Sequence, residues 1–252
     1  MPEIKKLVLI TGSSSGIGAG IVDAFLEDQS WIVLGVSRSS RPLDNPRYHE
    51  LIVDLTSEKA LSEVKAALES QKAKNELGEI CFVHNFGLTD HRSVLEVDRA
   101  SWDRVFYTNV TLPMLITREL SPLMPSGSSH QYIGSTLSTM AVPNAAAYIS
   151  SKHALLGLMR ASAQDLSLKG IRTNLICPGF TESAMAREVV GHAAQRKDLA
   201  AEKHQAFLES LSPLGRFLRP KEIGDLVLFL ASTPTISGEI IQINGGFGLK
   251  SH

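Results

Sequence analysis

Tyr148 and Lys152 lie four residues apart in the sequence and are the pair best suited to proton chemistry. In a helix, this spacing puts both side chains on one face. A free phenol has a pKa of about 10 and is a poor acid–base catalyst at neutral pH, but a nearby ammonium favours the phenolate and lowers that pKa. Such a pair could pass a proton to a carbonyl oxygen while hydride reaches the carbonyl carbon. The same spacing is also common in ordinary surface pairs.

A second chemical signal is the glycine-rich stretch 12–18, Gly-Ser-Ser-Ser-Gly-Ile-Gly, which follows the apolar run 7–10. Ile17, Ile21 and Phe25 then recur at four-residue spacing, which predicts a helix. A strand, tight turn and helix in this order leave free backbone N–H groups where the helix dipole also favours a phosphate. Glycines are needed because side chains would block a pyrophosphate and the close packing of helix on strand. The alternative is an ordinary glycine-rich turn, since the spacing is G-x-x-x-G-x-G.

Short apolar runs alternate with helix-periodic segments along the whole chain. The predicted strands are 7–10, 31–36, 48–53, 79–84, 131–134, 171–177 and 239–243, and the predicted helices after the first start at Ser57, near Asp98, at Tyr148 and at Pro220. This alternation predicts a single α/β domain over residues 1–252, a Rossmann-type doubly wound parallel sheet with helices on both faces. Sites in such sheets lie beyond the carboxyl ends of the strands, which most candidate residues follow.

Composition and charge argue against several classes of protein. The formal net charge is −1, from 25 basic and 26 acidic residues, and no basic run of the nucleic-acid-binding kind occurs. The longest apolar runs are too short to span a membrane, and the first six residues carry no apolar leader. Cys81 and Cys177 sit in strand-like runs and are expected to be buried free thiols. We therefore expect a cytoplasmic protein that binds neither nucleic acid nor membrane, and we identify no metal-ligand motif.

The segment 181–213 differs from the rest of the chain. It is rich in Ala, Glu, Lys, Arg and His and has weak core periodicity. Because it follows the sixth predicted strand, it could fold over the site as a lid. A solvated helical insertion is the alternative.

The combination of Thr11-Gly12-x-x-x-Gly16-Ile17-Gly18, Asn109, Ser135 and Tyr148-x-x-x-Lys152 resembles the short-chain dehydrogenase/reductase family. The resemblance extends over essentially the whole chain, to Asn244-Gly245-Gly246. It is closest to the classical branch, which includes 3-oxoacyl-carrier-protein reductases and related carbonyl or sugar-alcohol dehydrogenases.

The resemblance implies a role for each matching residue. Tyr148 would be the general acid or base, Lys152 would lower its pKa and bind the nicotinamide ribose, and Ser135 would hydrogen-bond the substrate carbonyl. Asn109 would hold a water that connects Lys152 to solvent. The remaining implied cofactor contacts are Gly12, Ser14, Gly16, Ile17 and Gly18 at the pyrophosphate, Asp54 and Leu55 at the adenine, Asn85 and Gly87 at the adenosine ribose, and Pro178, Gly179 and Thr181 along the nicotinamide.

The loop after the second predicted strand favours NADP(H) over NAD(H). An NAD-preferring site has an acidic residue there, which accepts hydrogen bonds from the ribose 2′-OH. Here Ser37 and Arg38 occupy the position, and no acidic residue occurs between Trp31 and Pro42. A guanidinium suits a 2′-phosphate, and Arg41 is a possible second cation. Alternatively, Arg38 is a solvated loop residue or stacks on the adenine.

Two positions depart from the family pattern of Asn-Asn-Ala-Gly after the fourth strand, since the chain reads His84-Asn85-Phe86-Gly87. Phe86 is much larger than alanine and could narrow the pocket near the nicotinamide. His84 is either a buried strand residue or a titrating group near the cofactor. The departures bear on substrate class more than on fold or cofactor.

Pro113 suggests a local irregularity, because a proline inside a helix clashes with the carbonyl four residues back. That carbonyl belongs to Asn109 and would be freed to bind the implied water. A kink without functional meaning is the alternative.

The leading functional hypothesis is an oxidoreductase that interconverts a small ketone and a secondary alcohol. A 3-oxoacyl-carrier-protein reductase is the alternative, although five basic and five acidic residues balance over 182–216 and offer no special attraction to an acidic carrier. A non-catalytic dinucleotide-binding regulator is the rival from another class, and it could lose Tyr148 or Lys152 freely. We also predict a homotetramer or dimer, because the long helices carry surplus apolar residues such as Leu155, Leu156 and Met159.

Overall fold

The computed structural model describes residues 5–248, which form one seven-stranded parallel sheet with strand order β3-β2-β1-β4-β5-β6-β7. The strands are β1 (Lys5–Thr11), β2 (Trp31–Ser37), β3 (Tyr48–Ile52), β4 (Leu77–His84), β5 (Ser129–Ile133), β6 (Arg172–Pro178) and β7 (Ile240–Ile243). The chain order reverses between β1 and β4, so their carboxyl ends flank the crevice where ligands bind in such sheets. This confirms the predicted fold class.

Eight α-helices join the strands over the described range. They are α1 (Gly16–Glu27), α2 (Ala60–Lys74), α3 (Arg99–Phe106), α4 (Leu112–Leu120), α5 (Ala146–Ser167), α6 (Ala184–Arg196), α7 (Ala201–Ser210) and α8 (Pro220–Ser232). In residues 5–248, none of these helices has the length and apolar character that a membrane span requires. The predicted strands and helices are present, with ends that move by a few residues.

Both faces of the sheet are buried, which explains the continuous apolar runs of β1 and β2. One core cluster joins the sheet to α2 and α4 and includes Leu9, Phe82 and Leu112. The other joins it to α1 and α8 and includes Ile21 and Val227. The side chains of a parallel strand alternate between these two clusters, so every apolar residue of β1 has a core to enter.

Glycines let α1 and α8 cross in close contact. A Cβ on Gly20 would lie 2.2 Å from the carbonyl carbon of Pro220, and one on Gly224 would lie 2.3 Å from the carbonyl oxygen of Gly20. Backbone cannot yield as a flexible side chain can, so each position excludes any larger residue. The crossing fixes α1, whose N-terminus follows the glycine-rich turn.

The predicted long helix near Asp98–Met124 is interrupted. Asp98 caps α3 by accepting a hydrogen bond from the Ser101 N–H, and residues Tyr107–Thr111 form one π-helical turn before α4. Pro113 sits at the start of α4, where its missing N–H is tolerated. The irregularity suggested by Pro113 is therefore present, and Asn109 lies inside it.

Two expectations about helices are wrong. Helix α2 starts at Ala60 rather than at Ser57, because the Ser57 backbone carbonyl accepts the Ala60 N–H in a turn that precedes the helix. Leu155 and Met159 are not surplus apolar residues, since both are buried against β5 and β6 beside Tyr132 and Leu175. Helix α5 thus packs these residues against its own sheet, and they cannot contact a partner subunit.

The segment 181–213 folds into α6 and α7. A short bridge between Thr181 and Leu218 ties its start to the chain that follows it, and Ser183 caps α6 by accepting the Ala186 N–H. This structure agrees both with a lid that folds over the site and with a solvated helical insertion, so the lid stays a prediction.

Candidate active site

The glycine-rich turn takes a shape that side chains would prevent. Gly12 and Gly16 have φ of +70° and +52°, which L-residues rarely adopt. A Cβ on Gly18 would lie 2.0 Å from the carbonyl oxygen of Gly12, so Gly18 lets the first turn of α1 fold back onto the end of β1. The free N–H groups at the start of α1 consequently face the crevice beside the turn.

Asn85 fastens this turn to the neighbouring strand. Its side-chain amide donates to the carbonyl oxygens of Thr11 and Gly12 at 3.0 and 3.2 Å, and its backbone N–H donates to the Thr11 hydroxyl at 3.0 Å. The Thr11 hydroxyl in turn donates to the Val83 carbonyl at 3.2 Å. Asn85 therefore links β1 to β4, and the Thr11 hydroxyl takes part in this link, a role that its place in the sequence motif did not reveal.

Asn109 makes three hydrogen bonds with its side chain. Its Oδ1 accepts from the Leu88 N–H at 2.8 Å, and its Nδ2 donates to the Leu88 carbonyl at 2.8 Å and to the Ser151 hydroxyl at 2.9 Å. Ser151 then donates to the carbonyl of Tyr148 at 2.7 Å. Asn109 thus connects the loop after β4 to the helical turn that carries Tyr148, a role that its spacing in the sequence did not reveal.

Replacement of Asn109 by leucine should lower the free energy of unfolding by about 2–4 kcal/mol, because both backbone groups of the partly buried Leu88 and the Ser151 hydroxyl lose a partner. Replacement of Ser151 by alanine removes only the last link and should cost about 0.5–1.5 kcal/mol. Urea unfolding of the two variants beside wild type measures the difference. Equal losses would show that Asn109 does not hold the loop.

Lys152 is buried, with 6% of its surface exposed, and points toward the carboxyl end of β5. Its Nζ donates to the Ile133 carbonyl at 2.8 Å and lies 5.7 Å from the centre of the Tyr148 ring. Burial lowers the pKa of Lys152 to about 8. Gly87 has no side chain, which leaves the space beside Asn109 and Lys152 open. A Cβ at this position would lie 3.2 Å from Asn109 Oδ1 and 3.8 Å from Lys152 Nζ.

Tyr148 is half-buried near the start of α5, beside Ser135. Burial raises the pKa of the Tyr148 phenol, and the Ser135 side chain offsets part of that rise. Ser135 begins a short 3₁₀ turn in which its hydroxyl accepts the Leu137 N–H at 3.1 Å while its own N–H donates to the Ser138 hydroxyl at 3.1 Å. The reciprocal bonds hold the Ser135 hydroxyl at the end of β5, next to the phenol.

The far end of the crevice contains the loop after β2. The Ser37 hydroxyl donates to the Ser39 carbonyl at 2.6 Å, and the Ser14 and Ser39 hydroxyls lie 3.0 Å apart. Arg38 is exposed on this loop. Arg41 is not available as the second cation suggested by the sequence, because its guanidinium contacts Asp23 at 2.8 Å and the Ala19 carbonyl at 2.9 Å on α1.

One continuous cleft brings most of the predicted site residues together. Those that line it are Gly12, Ser14, Gly16, Ile17, Ser37, Arg38, Leu55, Asn85, Gly87, Tyr148 and Lys152. Ser183, Ala184 and Met185, at the start of α6, line it too and were not singled out from the sequence. A serine cap before a helix was the only sequence signal that could have indicated this edge.

The other predicted contacts lie around the cleft rather than in its lining. Asp54 is exposed, and its carboxylate accepts from the N–H and hydroxyl of Thr56. Pro178 ends β6 beside β7, and a Cβ on Gly179 would meet Asn244 at 2.9 Å. Thr181 is buried, with its hydroxyl donating to the Gly179 carbonyl at 3.1 Å. Pro178 is thus the last residue of β6, and Gly179 and Thr181 follow it on the chain that leads to α6.

His84 is a buried strand residue, which agrees with the first of the two interpretations. Its Nε2 lies 3.0 Å from Nδ1 of His130 on β5, and its ring stacks on Tyr132 at 4.2 Å between centroids. Burial lowers the pKa of His84 well below its usual value, so the imidazole stays neutral. The adjacent Phe86 is partly buried, packs against the core beside α4 and lines the cleft.

The cleft has the features that a nicotinamide dinucleotide needs. Its glycine cradle would be filled by any side chain, N–H groups at the start of α1 face it, and a hydroxyl-rich loop lies at one end with Tyr148 and Lys152 at the other. The residues present therefore fit a bound dinucleotide, with pyrophosphate at the turn.

The chain is similar to many proteins of known family. Residues 12–248 match the family model described as Enoyl-(Acyl carrier protein) reductase. The chain is 30% identical to a 2-(S)-hydroxypropyl-CoM dehydrogenase of Xanthobacter autotrophicus, over 96% of both proteins. It is 27% identical to a 3-oxoacyl-[acyl-carrier-protein] reductase of Thermotoga maritima, over 96% of this chain and 97% of the relative.

A solved structure shows the same likeness in three dimensions. A short chain dehydrogenase family protein from Francisella tularensis matches with a TM-score of 0.87 and 26% identity, over 98% of this chain and 100% of that one. Together with the crevice between β1 and β4 and the glycine cradle, these matches identify the family. The chain belongs to the short-chain dehydrogenase/reductase family of dinucleotide-dependent oxidoreductases, and within it resembles the classical 3-oxoacyl-carrier-protein reductases.

Proposed function

We propose that the protein is an NADP(H)-dependent oxidoreductase that interconverts a small ketone and a secondary alcohol, with Tyr148 as the acid or base. The observation that carries this proposal is the position of Tyr148 and Lys152 at one end of the cleft, opposite the Ser37–Arg38 loop. The glycine turn after β1 lies between these two ends in the strand order, where it would bind the pyrophosphate of the dinucleotide. A binding-only regulator has no use for a buried lysine beside a phenol.

The chain's own groups divide the work as follows. NADPH, when bound, supplies a hydride to the carbonyl carbon of the substrate. The Tyr148 phenol donates its proton to the carbonyl oxygen, and the Ser135 hydroxyl hydrogen-bonds that oxygen and so orients it. Lys152 places a positive charge near the phenol and would bind the nicotinamide ribose hydroxyls. Asn109 is a positioning residue, because it reaches Tyr148 only through Ser151.

The pKa directions favour this assignment in the reductive direction. Burial raises the pKa of Tyr148, so the phenol holds the proton that reduction consumes. Lys152, with a pKa of about 8, is mostly protonated at neutral pH and can stabilise the phenolate that forms. As pH rises through 8, Lys152 loses its charge and the phenolate loses that support. We therefore infer that carbonyl reduction is faster below this pH than above it.

A carbonyl panel tests the proposed activity. Purified protein and NADPH are mixed with cyclic, aliphatic and aryl ketones, hydroxyketones and a carrier-linked 3-oxoacyl thioester, and loss of absorbance at the nicotinamide band is followed. We expect turnover of at least one free ketone. Turnover of the carrier thioester alone would favour the 3-oxoacyl-carrier-protein reductase. Binding of NADPH without turnover of any member would contradict the proposed activity and favour the regulator.

We propose a homotetramer or dimer in solution. Leu155 and Met159 do not support it, but exposed apolar side chains do: Tyr107 is 40% exposed, Met114 36%, Leu168 93% and, on α8 at the other face of the sheet, Phe229 56%. Covering them stabilises an assembly by removing apolar surface from water.

The buried thiols of Cys81 and Cys177 are free, which supports a reducing compartment such as the cytoplasm.

Sedimentation velocity at about 1–10 µM protein, a range in which specific interfaces persist, should show a dimer or tetramer. Met114→Lys places a charge in the exposed apolar surface and should shift the distribution toward smaller species. Lys203→Glu, exposed on α7, which packs against α6 rather than α4, is the control and should leave it unchanged. A monomeric wild type would contradict the proposal.

A further inference from the structure

Three side chains from two distant parts of the sequence meet beside the start of the predicted lid. His91 belongs to the loop that follows β4, while Glu188 and His192 lie one turn apart on α6. Glu188 Oε1 lies 3.6 Å from His91 Nε2 and 4.0 Å from His192 Nε2, and one ligand atom from each residue falls within 4.8 Å of the other two. The two imidazole rings are stacked, with centroids 4.7 Å apart.

The cluster is not explained by hydrogen bonding. His91 Nε2 is buried, yet it has no hydrogen-bond partner among residues 5–248, because its distance to Glu188 exceeds that of a hydrogen bond. A buried polar nitrogen without a partner costs free energy, so its position calls for a ligand. The His91 side chain is 18% exposed, whereas Glu188 and His192 are 56% and 52% exposed, which leaves the cluster open to solvent on one side.

Neighbouring contacts hold the two halves of the cluster in place. Arg196, one turn further along α6, donates to the His91 carbonyl at 3.0 Å and contacts the Glu96 carboxylate at 3.2 Å. The Arg92 guanidinium pairs with Asp90 on the other side of His91. These contacts tie the loop that carries His91 to the helix that carries Glu188 and His192. The three side chains are therefore held near one another, as a metal site requires.

We propose that His91, Glu188 and His192 bind one Zn²⁺ ion, which joins α6 to the loop after β4. Two imidazole nitrogens and one carboxylate oxygen are a common three-ligand set for zinc, with water in the fourth position. Ligand atoms about 3.3 Å apart are expected for bonds of about 2.0–2.1 Å in a tetrahedron. The His91–Glu188 and His192–Glu188 distances exceed that by 0.3 and 0.7 Å, which small rotations of exposed side chains can close.

Zinc at this position would act on the edge of the cofactor cleft. Ser183–Met185 at the start of α6 line the cleft, and the bound ion would fix the same helix two turns later. Metal binding should therefore reduce the mobility of α6, whether or not the proposed carbonyl chemistry is correct. The binding and mobility measurements below need neither substrate nor cofactor, so their failure is distinct from failure of the proposed function.

Titration calorimetry of full-length protein, freed of affinity tags and of metal by a chelator, tests the site with Zn²⁺ alone. We expect one ion per chain with a Kd of about 10 µM or tighter. His192→Ala removes an exposed ligand and should weaken binding about 100-fold. His153→Ala, an exposed histidine on α5, is the matched control and should bind as wild type does. Replacement of Zn²⁺ by Co²⁺ should give visible absorption bands of tetrahedral strength.

Amide hydrogen exchange measures whether the bound ion reduces the mobility of α6. Saturating Zn²⁺ should slow amide exchange over 186–196 in wild type and in His153→Ala, and leave it unchanged in His192→Ala. Glu188→Gln, which keeps the shape and removes the charge, should bind more weakly than wild type. Equal affinity of wild type and His192→Ala, or no binding below about 100 µM, would overturn the proposal.

Discussion

Tyr148→Phe should lower kcat for carbonyl reduction by about 10²–10⁴-fold while NADPH binding stays close to that of wild type. The phenol oxygen is the only proton donor in the proposed transition state, and its loss leaves the ring, the helix and the cleft in place. Burial of this side chain raises its pKa, so the group that is lost carries a proton at neutral pH. Steady-state kinetics on the best ketone of the panel and a fluorescence titration with NADPH separate the two effects.

Tyr107→Phe provides the matched control, because it removes a phenol that is 40% exposed in the π-helical turn outside the cleft. Its kcat should remain within about twofold of wild type, as for most surface substitutions. Thermal unfolding of both variants shows whether either has lost its fold. A Tyr148→Phe variant that turns over within tenfold of wild type would show that another group supplies the proton.

The regular part of the fold was predictable because its signals are local. Apolar runs such as 7–10 are long enough to be read as strands, and Gly12 and Gly16 are required by the positive φ of the turn itself. Asp98 and Pro220 mark helix starts through the chemistry of their own side chains. These features depend on neighbours a few residues away, and the structure agrees with them.

Features that depend on distant partners were missed or wrong. Leu155 and Met159 look like surplus apolar residues until β5 and β6 are packed beneath α5. Arg41 looks like a free cation until α1 brings Asp23 to it. The water implied at the Asn109 backbone carbonyl stays a prediction, whereas the side-chain bonds of Asn109 to Leu88 and, through Ser151, to Tyr148 were missed.

The candidate zinc cluster belongs to the same group. His91 and the helix that carries Glu188 and His192 are separated by about a hundred residues, so neither spacing nor composition could bring them together. The Glu-x-x-x-His pair on α6 is visible in the sequence but has two ligands only. Its third ligand depends on where the loop after β4 lies, which the bonds of Asn109 to Leu88 and of Arg196 to the His91 carbonyl help to set.

The choice of cofactor should depend on Arg38, because the structure removes Arg41 from the candidates. The Arg41 guanidinium contacts Asp23 and the Ala19 carbonyl, so a 2′-phosphate would have to break an existing ion pair to recruit it. Arg38 is exposed beside the cleft, and the hydroxyls of Ser14 and Ser39 lie next to each other at the same end. These hydroxyls and the guanidinium can bind phosphate oxygens.

The expected preference for NADPH over NADH rests on one charged contact, between Arg38 and the 2′-phosphate, rather than on two. A hydrogen bond to a charged group contributes about 1.5–3 kcal/mol, which corresponds to a preference for NADPH over NADH of about 10- to 100-fold in kcat/KM. Asp54 moderates this figure, since its carboxylate lies close enough to Arg38 for the two charges to interact, and that attraction competes with the phosphate.

Wild type should therefore prefer NADPH by about 10- to 100-fold, and the double variant Ser37→Asp/Arg38→Leu should prefer NADH. The aspartate accepts hydrogen bonds from the 2′-OH and repels a 2′-phosphate, while leucine removes the cation. Arg41→Leu is the control that separates the two arginines, and its cofactor ratio should stay within about threefold of wild type, because the lost contacts are with α1. The ratio of kcat/KM with NADPH to kcat/KM with NADH is measured on one ketone for wild type and both variants. A wild type that prefers NADH, or a ratio that moves with Arg41 rather than Arg38, would contradict the assignment of the 2′-phosphate site to this loop.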